Sequence, residues 1–206
     1  MQTIIIVDYG LGNLNSVANM IRHVGGRCEI SSDLDVIAKA EKLILPGVGA
    51  FDRGMSRLSS SGIEEVLNKV VLEKRIPILG ICLGMQLMTH RSEEGELNGL
   101  GWIDAEVKKF VFPNNSILKI PHMGWNKVEL KKSNQLISTK DDEEQRFYFV
   151  HSYYVYAKNP NDIMCTTQYG HEFCSAFSHE NIMGVQFHPE KSHRFGMEMM
   201  KKFIQI

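Results

Sequence analysis

In the first half of the chain, short runs of apolar residues alternate with stretches in which apolar residues recur every three or four positions. Residues 4–7 form a β-branched apolar run, and Asp8-Tyr9-Gly10-Leu11-Gly12-Asn13 follows it, so a buried strand feeds a turn here. Leu14, Val17, Ala18, Ile21 and Val24 then fall at helical spacing, and Gly25-Gly26 ends that helix. Residues 42–45 are a second strand that stops at Pro46-Gly47-Val48-Gly49. Ile63, Val66, Leu67, Val70 and Val71 mark another amphipathic helix, and residues 76–81 a third core strand. Continuously apolar strands separated by helices predict a parallel sheet covered on both faces.

Past about Gly99 the period changes. Residues 107–111, 126–130, 147–156, 164–169, 173–178 and 182–187 read as successive strands with short turns, an antiparallel or mixed extension of the sheet. Residues 197–206 read as a closing helix. With no linker, repeat or low-complexity stretch, residues 1–206 are expected to form a single α/β domain. The acidic run Asp141-Asp142-Glu143-Glu144 reads as a solvated loop.

Composition narrows the function classes. Lys and Arg number 23 against 24 Asp and Glu, a net charge of −1, and 43% of the 206 residues are hydrophobic. Balanced charge offers no electrostatic case for nucleic acid or anionic lipid. The N-terminus lacks the basic region of a signal peptide, and no apolar stretch reaches the 18 or so residues of a membrane span, so a cytoplasmic protein with reduced thiols is expected. Cys28, Cys82, Cys165 and Cys174 are too scattered for a zinc cluster; Cys28, Cys165 and Cys174 read as small hydrophobes in strands. No metal or cofactor is expected.

Two segments carry residues suited to catalysis. Gly80-Ile81-Cys82-Leu83-Gly84 lies where a core strand meets Met85-Gln86-Leu87-Met88, and glycines on either side of a nucleophile relieve crowding at a sharp strand-to-helix turn. Such a turn exposes the thiol at the C-terminal edge of the sheet, near a helix N-terminus that favours thiolate. On this segment alone, a buried structural cysteine reads equally well. Phe187-His188-Pro189-Glu190 follows the last strand, and an extended chain there points His188 and Glu190 to the same side. Alone it reads as a loop with a surface salt link. Together the two segments supply a thiol, a base and a carboxylate to orient the base, all at strand ends. The loop Gly47-Val48-Gly49, otherwise a plain turn, is placed to offer backbone N–H groups to an oxyanion.

Gly80-Ile81-Cys82-Leu83-Gly84-Met85-Gln86 with Phe187-His188-Pro189-Glu190 resembles the class I, triad-type glutamine amidotransferases. Within them, the segments Asp8 to Asn13, Pro46 to Gly49, Pro121-His122-Met123-Gly124-Trp125-Asn126, Tyr148-Phe149-Val150-His151-Ser152-Tyr153 and His188-Pro189-Glu190-Lys191-Ser192 are similar to the glutaminase subunits of imidazole glycerol phosphate synthase. The resemblance implies a flavodoxin-like class I amidotransferase fold. It implies that Cys82 attacks the glutamine amide, His188 shuttles the proton, Glu190 orients His188, and Gly47, Val48 and Gly49 supply the oxyanion donors. Gln86, Glu94, His151, Ser152 and Tyr153 match positions around the bound glutamine. Asn13, Asn15, Met123, Trp125 and Lys191 match positions facing a partner, a (β/α)8-barrel cyclase that completes a heterodimer. Ammonia would pass to that cyclase, which makes imidazole glycerol phosphate and an aminoimidazole carboxamide ribotide in histidine biosynthesis. Trp125 as a partly buried core indole and Lys191 as a plain surface cation remain open.

A rival reading keeps the glutaminase and changes the partner to an enzyme that amidates an acetamido sugar in surface-polysaccharide synthesis. The segments Arg91-Ser92-Glu93-Glu94-Gly95, Gly99-Leu100-Gly101-Trp102 and Lys191 to Gly196 are closer to those relatives. A non-catalytic binding module on the same fold is a rival of another class, opposed by the intact Cys82, His188 and Glu190. A hydrolase of another acyl substrate is opposed by Gln86. A dinucleotide binder is opposed by Gly10-Leu11-Gly12, which lacks the third glycine.

Overall fold

The computed structural model describes residues 2–137 and 144–206. In chain order its elements are β1 (Thr3–Val7), α1 (Leu14–His23), β2 (Arg27–Ser31), α2 (Leu34–Ala38), β3 (Leu43–Gly47), α3 (Phe51–Ser60), α4 (Ile63–Asn68), β4 (Ile78–Cys82) and α5 (Leu83–Leu87). There follow β5 (Ala105–Lys109), β6 (His122–Leu130), β7 (Gln145–His151), β8 (Tyr153–Ala157), β9 (Ile163–Tyr169), β10 (His171–His179), β11 (Ile182–Val185) and α6 (His193–Gln205).

The layering follows from the double-sided apolar character of the strands. Successive side chains of a strand face opposite ways. In β1, Ile4 and Ile6 join a buried cluster with Val17, Ala18 and Ile21 of α1 and Met199, Met200 and Phe203 of α6. Ile5 and Val7 join the other cluster, with Phe51, Met55 and Leu58 of α3 and Ile63 and Leu67 of α4. Lys42, one residue before β3, is buried, and its Nζ donates to the carbonyls of Phe203 (3.0 Å) and Ile204 (2.8 Å), a cation on the C-terminal end of α6.

Among the described residues the strands form one sheet of 11. β2, β1, β3, β4 and β11 lie side by side and parallel, with β11 in the fifth place of a flavodoxin-like order. β10, β9, β6 and β7 extend the sheet antiparallel, and β8 leaves β10 to pair with β5. The segments after β1, β3, β4 and β11 therefore emerge at one edge. That edge holds every candidate catalytic residue.

The structure departs from the sequence pattern in several places. Residues 147–156, read as one strand, are the two strands β7 and β8 with a break at Ser152; Ser152, Tyr153 and Tyr154 are all half-buried there, but no glycine or proline marks the break in the sequence. β6 begins at His122 and not at 126, because His122 and Met123 already pair with His151 and Val150 of β7. α3 has buried residues at Phe51, Gly54, Met55 and Leu58, a helical spacing hidden by Gly54 and the serines around it. Cys28 is half-buried on the edge strand β2, whereas Cys165 and Cys174 are fully buried, and burial pushes the Cys174 thiol up to about 12. Asp141, Asp142 and Glu143 of the acidic run lie outside the described residues; Glu144 is exposed and pairs with Arg146 and Lys127. Among the described residues no helix is long and apolar enough to cross a membrane.

Candidate active site

Cys82 ends β4 and precedes α5 with φ 53° and ψ −110°, a backbone conformation that side-chain-bearing residues rarely adopt. The glycines around it explain how so sharp a turn packs. A Cβ on Gly80 would stand 2.8 Å from the backbone N and Cα of Met85, and one on Gly84 would overlap the Leu45 carbonyl oxygen of β3. α5 thus presses backbone to backbone on the strands beneath it, which only glycine permits. The helix has 5 residues, so the electrostatic help expected from a long helix reduces to the free N–H groups of its first turn.

His188 follows β11, and its backbone N–H donates to the Tyr148 carbonyl of β7 at 2.9 Å. The Ser192 hydroxyl donates to the His188 carbonyl (2.6 Å) and accepts from the Tyr148 N–H (3.0 Å), which locks this loop to β7. Nδ1 of His188 lies 2.8 Å from Glu190 Oε1, and both side chains are buried. A carboxylate only accepts, so Nδ1 carries the proton and Nε2 is left for chemistry. The two residues meet by a route different from the extended chain read in the sequence. His188 is extended, but Pro189–Lys191 is one turn of 3-10 helix that swings Glu190 back beneath the imidazole. Nε2 has no well-formed hydrogen bond, and Cys82 is its interacting neighbour. Burial opposes the imidazolium, but the adjacent Cys82 sulfur and the hydrogen-bonded Glu190 carboxylate outweigh it and push the His188 pKa up to about 10.

These groups face a cavity of about 500 Å³, within the range of small-molecule sites. Val48, Gly49, Cys82, Gln86, Glu94, His151, Ser152, Tyr153 and His188 all line it. Segments separated by up to about two-thirds of the chain thus converge on one cavity. Gly47 does not line the cavity: a Cβ there would collide with the buried Tyr9 hydroxyl, so its glycine serves close packing, while Gly49 has the positive φ of 106° that turns the loop. Glu190 stands behind His188. Glu94 is tied to α3, its Oε2 accepting from the Phe51 N–H at 2.9 Å, and Asp52 in turn accepts from the Glu96 and Leu97 N–H groups.

Four lining residues escape the sequence reading: Ala50, Leu83, Pro121 and Val150. Leu83 had a signal, since the residue after an elbow nucleophile presents its N–H to an oxyanion. Behind the cavity wall, Gln86 Nε2 donates to the Tyr153 carbonyl (3.0 Å) and to Gln186 Oε1 (2.9 Å), and Gln186 Nε2 donates to Cys82 Sγ (3.7 Å). His151 Nδ1 also meets the Tyr153 carbonyl (2.8 Å), and its Nε2 lies 2.9 Å from His122 Nδ1. His122 is sandwiched between Phe149 and Tyr169, at centroid distances of 4.8 and 4.0 Å. Burial drives the pKa of His151 down to about 3 and of His122 to about 4, so both stay neutral at ordinary pH. Among the described residues no group of three or more His, Cys, Asp or Glu side chains is arranged to hold a metal ion.

The rim is apolar and exposed. Met123 (61% exposed) and Trp125 (45%) point outward from β6, so the core-indole reading of Trp125 is corrected. Trp125 stacks on His193 at 5.5 Å, and Lys191 Nζ lies 5.8 Å over the Tyr148 ring, which also contacts Trp125. Asn13 and Asn15 are exposed at the start of α1, a helix that packs beside the 189–191 segment.

The family model "Glutamine amidotransferase class-I" matches residues 5–206. The chain is 54% identical to imidazole glycerol phosphate synthase subunit HisH 2 of Methanococcus maripaludis, over 98% of each chain. It is 48% identical to the protein of the same name from Pseudomonas aeruginosa, over 98% of this chain and 99% of that one. In fold it is similar to a glutamine amidotransferase of Thermotoga maritima (TM-score 0.63, 17% identity, 99% of this chain and 81% of that one). A model that spans the chain from β1 to its last residue, together with relatives this similar along nearly their whole length, places the chain in the class-I glutamine amidotransferase family.

Proposed function

We propose that the chain is the glutaminase subunit of an imidazole glycerol phosphate synthase. One observation carries the chemical part: Cys82 at a strained elbow and His188, backed by Glu190 at 2.8 Å, face one cavity of about 500 Å³. The Cys82 thiolate attacks the side-chain carbonyl carbon of glutamine. The C=O electrons move to oxygen, where the N–H of Leu83 and those of the Val48-Gly49 loop stabilise the oxyanion. As the intermediate collapses, the C–N bond breaks and His188 Nε2 gives its proton to the departing nitrogen, leaving a thioester and ammonia. Water then adds to the thioester while His188 removes its proton, and glutamate departs as the thiolate re-forms. Glu190 holds the imidazole and supports its charge throughout.

The apolar rim supports a partner. Val48, Ile120, Met123 and Trp125 are exposed, with Val48 lining the cavity and Ile120 beside the cavity residue Pro121. A (β/α)8-barrel cyclase seated on Asn13, Asn15, Met123, Trp125 and Lys191 would close the mouth and receive ammonia before water protonates it. Glutamate release, measured with the cyclase of the same genome and its ribonucleotide ligand, tests this. A ligand-dependent rise lost in Cys82→Ala supports the proposal, and glutamine turnover that survives Cys82→Ala refutes it.

A second partner reading keeps the same glutaminase. Both relatives cited above carry the numeral 2 in their names, a numbering that fits a second copy of the subunit beside a first. A sugar-amidating partner suits such a second copy. Stimulation by that enzyme and not by the cyclase would select it.

A further inference from the structure

Besides His188, the sulfur of Cys82 has a second polar neighbour, and the structure dictates which end of that neighbour it meets. The Tyr153 carbonyl carries no proton, so both groups that touch it must be donors: Gln86 Nε2 (3.0 Å) and His151 Nδ1 (2.8 Å). The nitrogen of Gln86 is thereby oriented, and its second hydrogen goes to Gln186 Oε1 at 2.9 Å. With its oxygen committed to that bond, Gln186 presents its NH2 to Cys82 Sγ, at 3.7 Å. The other arm is set in the same way. His151 with its proton on Nδ1 has an accepting Nε2, so His122 donates from Nδ1 (2.9 Å), and His122 Nε2 accepts from the Asn126 amide (3.1 Å). A single backbone carbonyl, that of the first residue of β8, sets the polarity of both arms.

We propose that Gln186 is a positioning residue for the nucleophile, donating a hydrogen bond that holds Cys82 Sγ and favours its thiolate, in an orientation imposed through Gln86 by the Tyr153 carbonyl. Gln186 is fully buried on the sheet and does not line the cavity, so it reaches glutamine only through Cys82 and Gln86, its two side-chain partners. A hydrogen bond to the charged form of an acid stabilises that form. The other titratable groups facing the sulfur are His188 with Glu190 behind it, and Tyr9 from the segment after β1. His151 and Glu94 share the cavity.

The inference rests on Cys82 being the glutaminase nucleophile, but its test needs no glutamine turnover. The full chain is alkylated with iodoacetamide across pH, and the Cys82 and Cys28 peptides are followed by mass spectrometry in wild type, Gln186→Met and Gln186→Glu. The acid limb of Cys82 alkylation is expected to move up by about one pH unit in Gln186→Met, roughly tenfold slower labelling below it. Gln186→Glu, which sets a carboxylate beside the sulfur, moves it further. Cys28 labelling stays unchanged and reports an intact fold. An unmoved Cys82 limb in both variants overturns the role of Gln186 and leaves the glutaminase reading standing; glutaminase activity in Cys82→Ala instead removes Cys82 as the nucleophile and takes the inference with it. The polarity is also read without mutation, from ring-nitrogen NMR of the wild-type chain. Neutral His151 and His122 both protonated on Nδ1 are expected, and His151 protonated on Nε2 overturns the arrangement.

Discussion

Replacing Cys82 by alanine and by glycine isolates the strain stored at the elbow. At φ 53° and ψ −110° a side-chain-bearing residue carries about 1–3 kcal/mol of backbone strain. Alanine keeps the Cβ and the strain, and glycine releases it. Glycine also loses about 0.5–1 kcal/mol to its more flexible unfolded chain. Loss of the methyl costs at most about 0.8 kcal/mol, less to the extent that cavity solvent already reaches it. At an ordinary backbone position these losses would leave glycine roughly 1–1.5 kcal/mol the less stable of the two. At position 82 the released strain cancels or reverses that order, so Cys82→Gly is expected to equal Cys82→Ala or exceed it by up to about 2 kcal/mol. Urea unfolding followed by circular dichroism reads the difference, and each kcal/mol corresponds to about 2–4 °C in Tm for a chain this size. Both variants are expected to lack glutaminase activity, so the comparison concerns the backbone alone. If the glycine variant is less stable than the alanine variant by about 1 kcal/mol or more, the elbow is unstrained and the expectation fails.

Gly84→Ala, whose methyl meets the Leu45 carbonyl, is expected to destabilise the chain by more than about 4 kcal/mol or prevent soluble expression; a melting temperature within a few degrees of wild type would contradict the packing. Glu190→Gln keeps the shape but removes the charge that supports the His188 imidazolium, so kcat is expected to fall by roughly 10²- to 10⁴-fold with little change in KM; stopped assays in the partner complex decide it. The histidine pair makes stability acid-sensitive. Their folded pKa values, about 3 for His151 and about 4 for His122, lie below the ordinary 6.5, so the unfolded chain takes up protons first as pH falls. Stability present above pH 6.5 is lost toward pH 4 by up to about 1.4 kcal/mol per pH unit per histidine. His188, shifted upward, loses its contribution only as pH rises toward 10, and so adds nothing to that acid loss. A urea midpoint that is flat between pH 7 and 5 would contradict buried neutral histidines. Lys42→Met leaves the Phe203 and Ile204 carbonyls without their buried donor and is expected to cost about 1–3 kcal/mol. Thermal melts read it, and an unchanged Tm would show water replacing the ammonium.

Much of the fold and the core of the site were legible in short-range patterns. β-branched runs apolar at every position demanded cover on both faces, which made β1, β3 and β4 parallel core strands. Gly80 and Gly84 around Cys82 announced a backbone crossing too close for a Cβ, and the crossing is there, Met85 against Gly80 and Leu45 against Gly84. His188 and Glu190 are two residues apart, so their meeting was also legible, though the 3-10 turn that makes it was not. The surroundings of those residues became visible only in three dimensions. The break between β7 and β8 at Ser152 has no glycine or proline to mark it and was therefore silent. The Tyr153 carbonyl at the start of β8 receives Gln86 from 67 positions away, and Gln186 reaches Cys82 across 104. Those encounters depend on the strand order, β4 beside β11 and β8 beside β10. A residue's own neighbours in sequence set its backbone and its face; which polar groups it meets when buried is settled by how distant strands pair, and no local period records that.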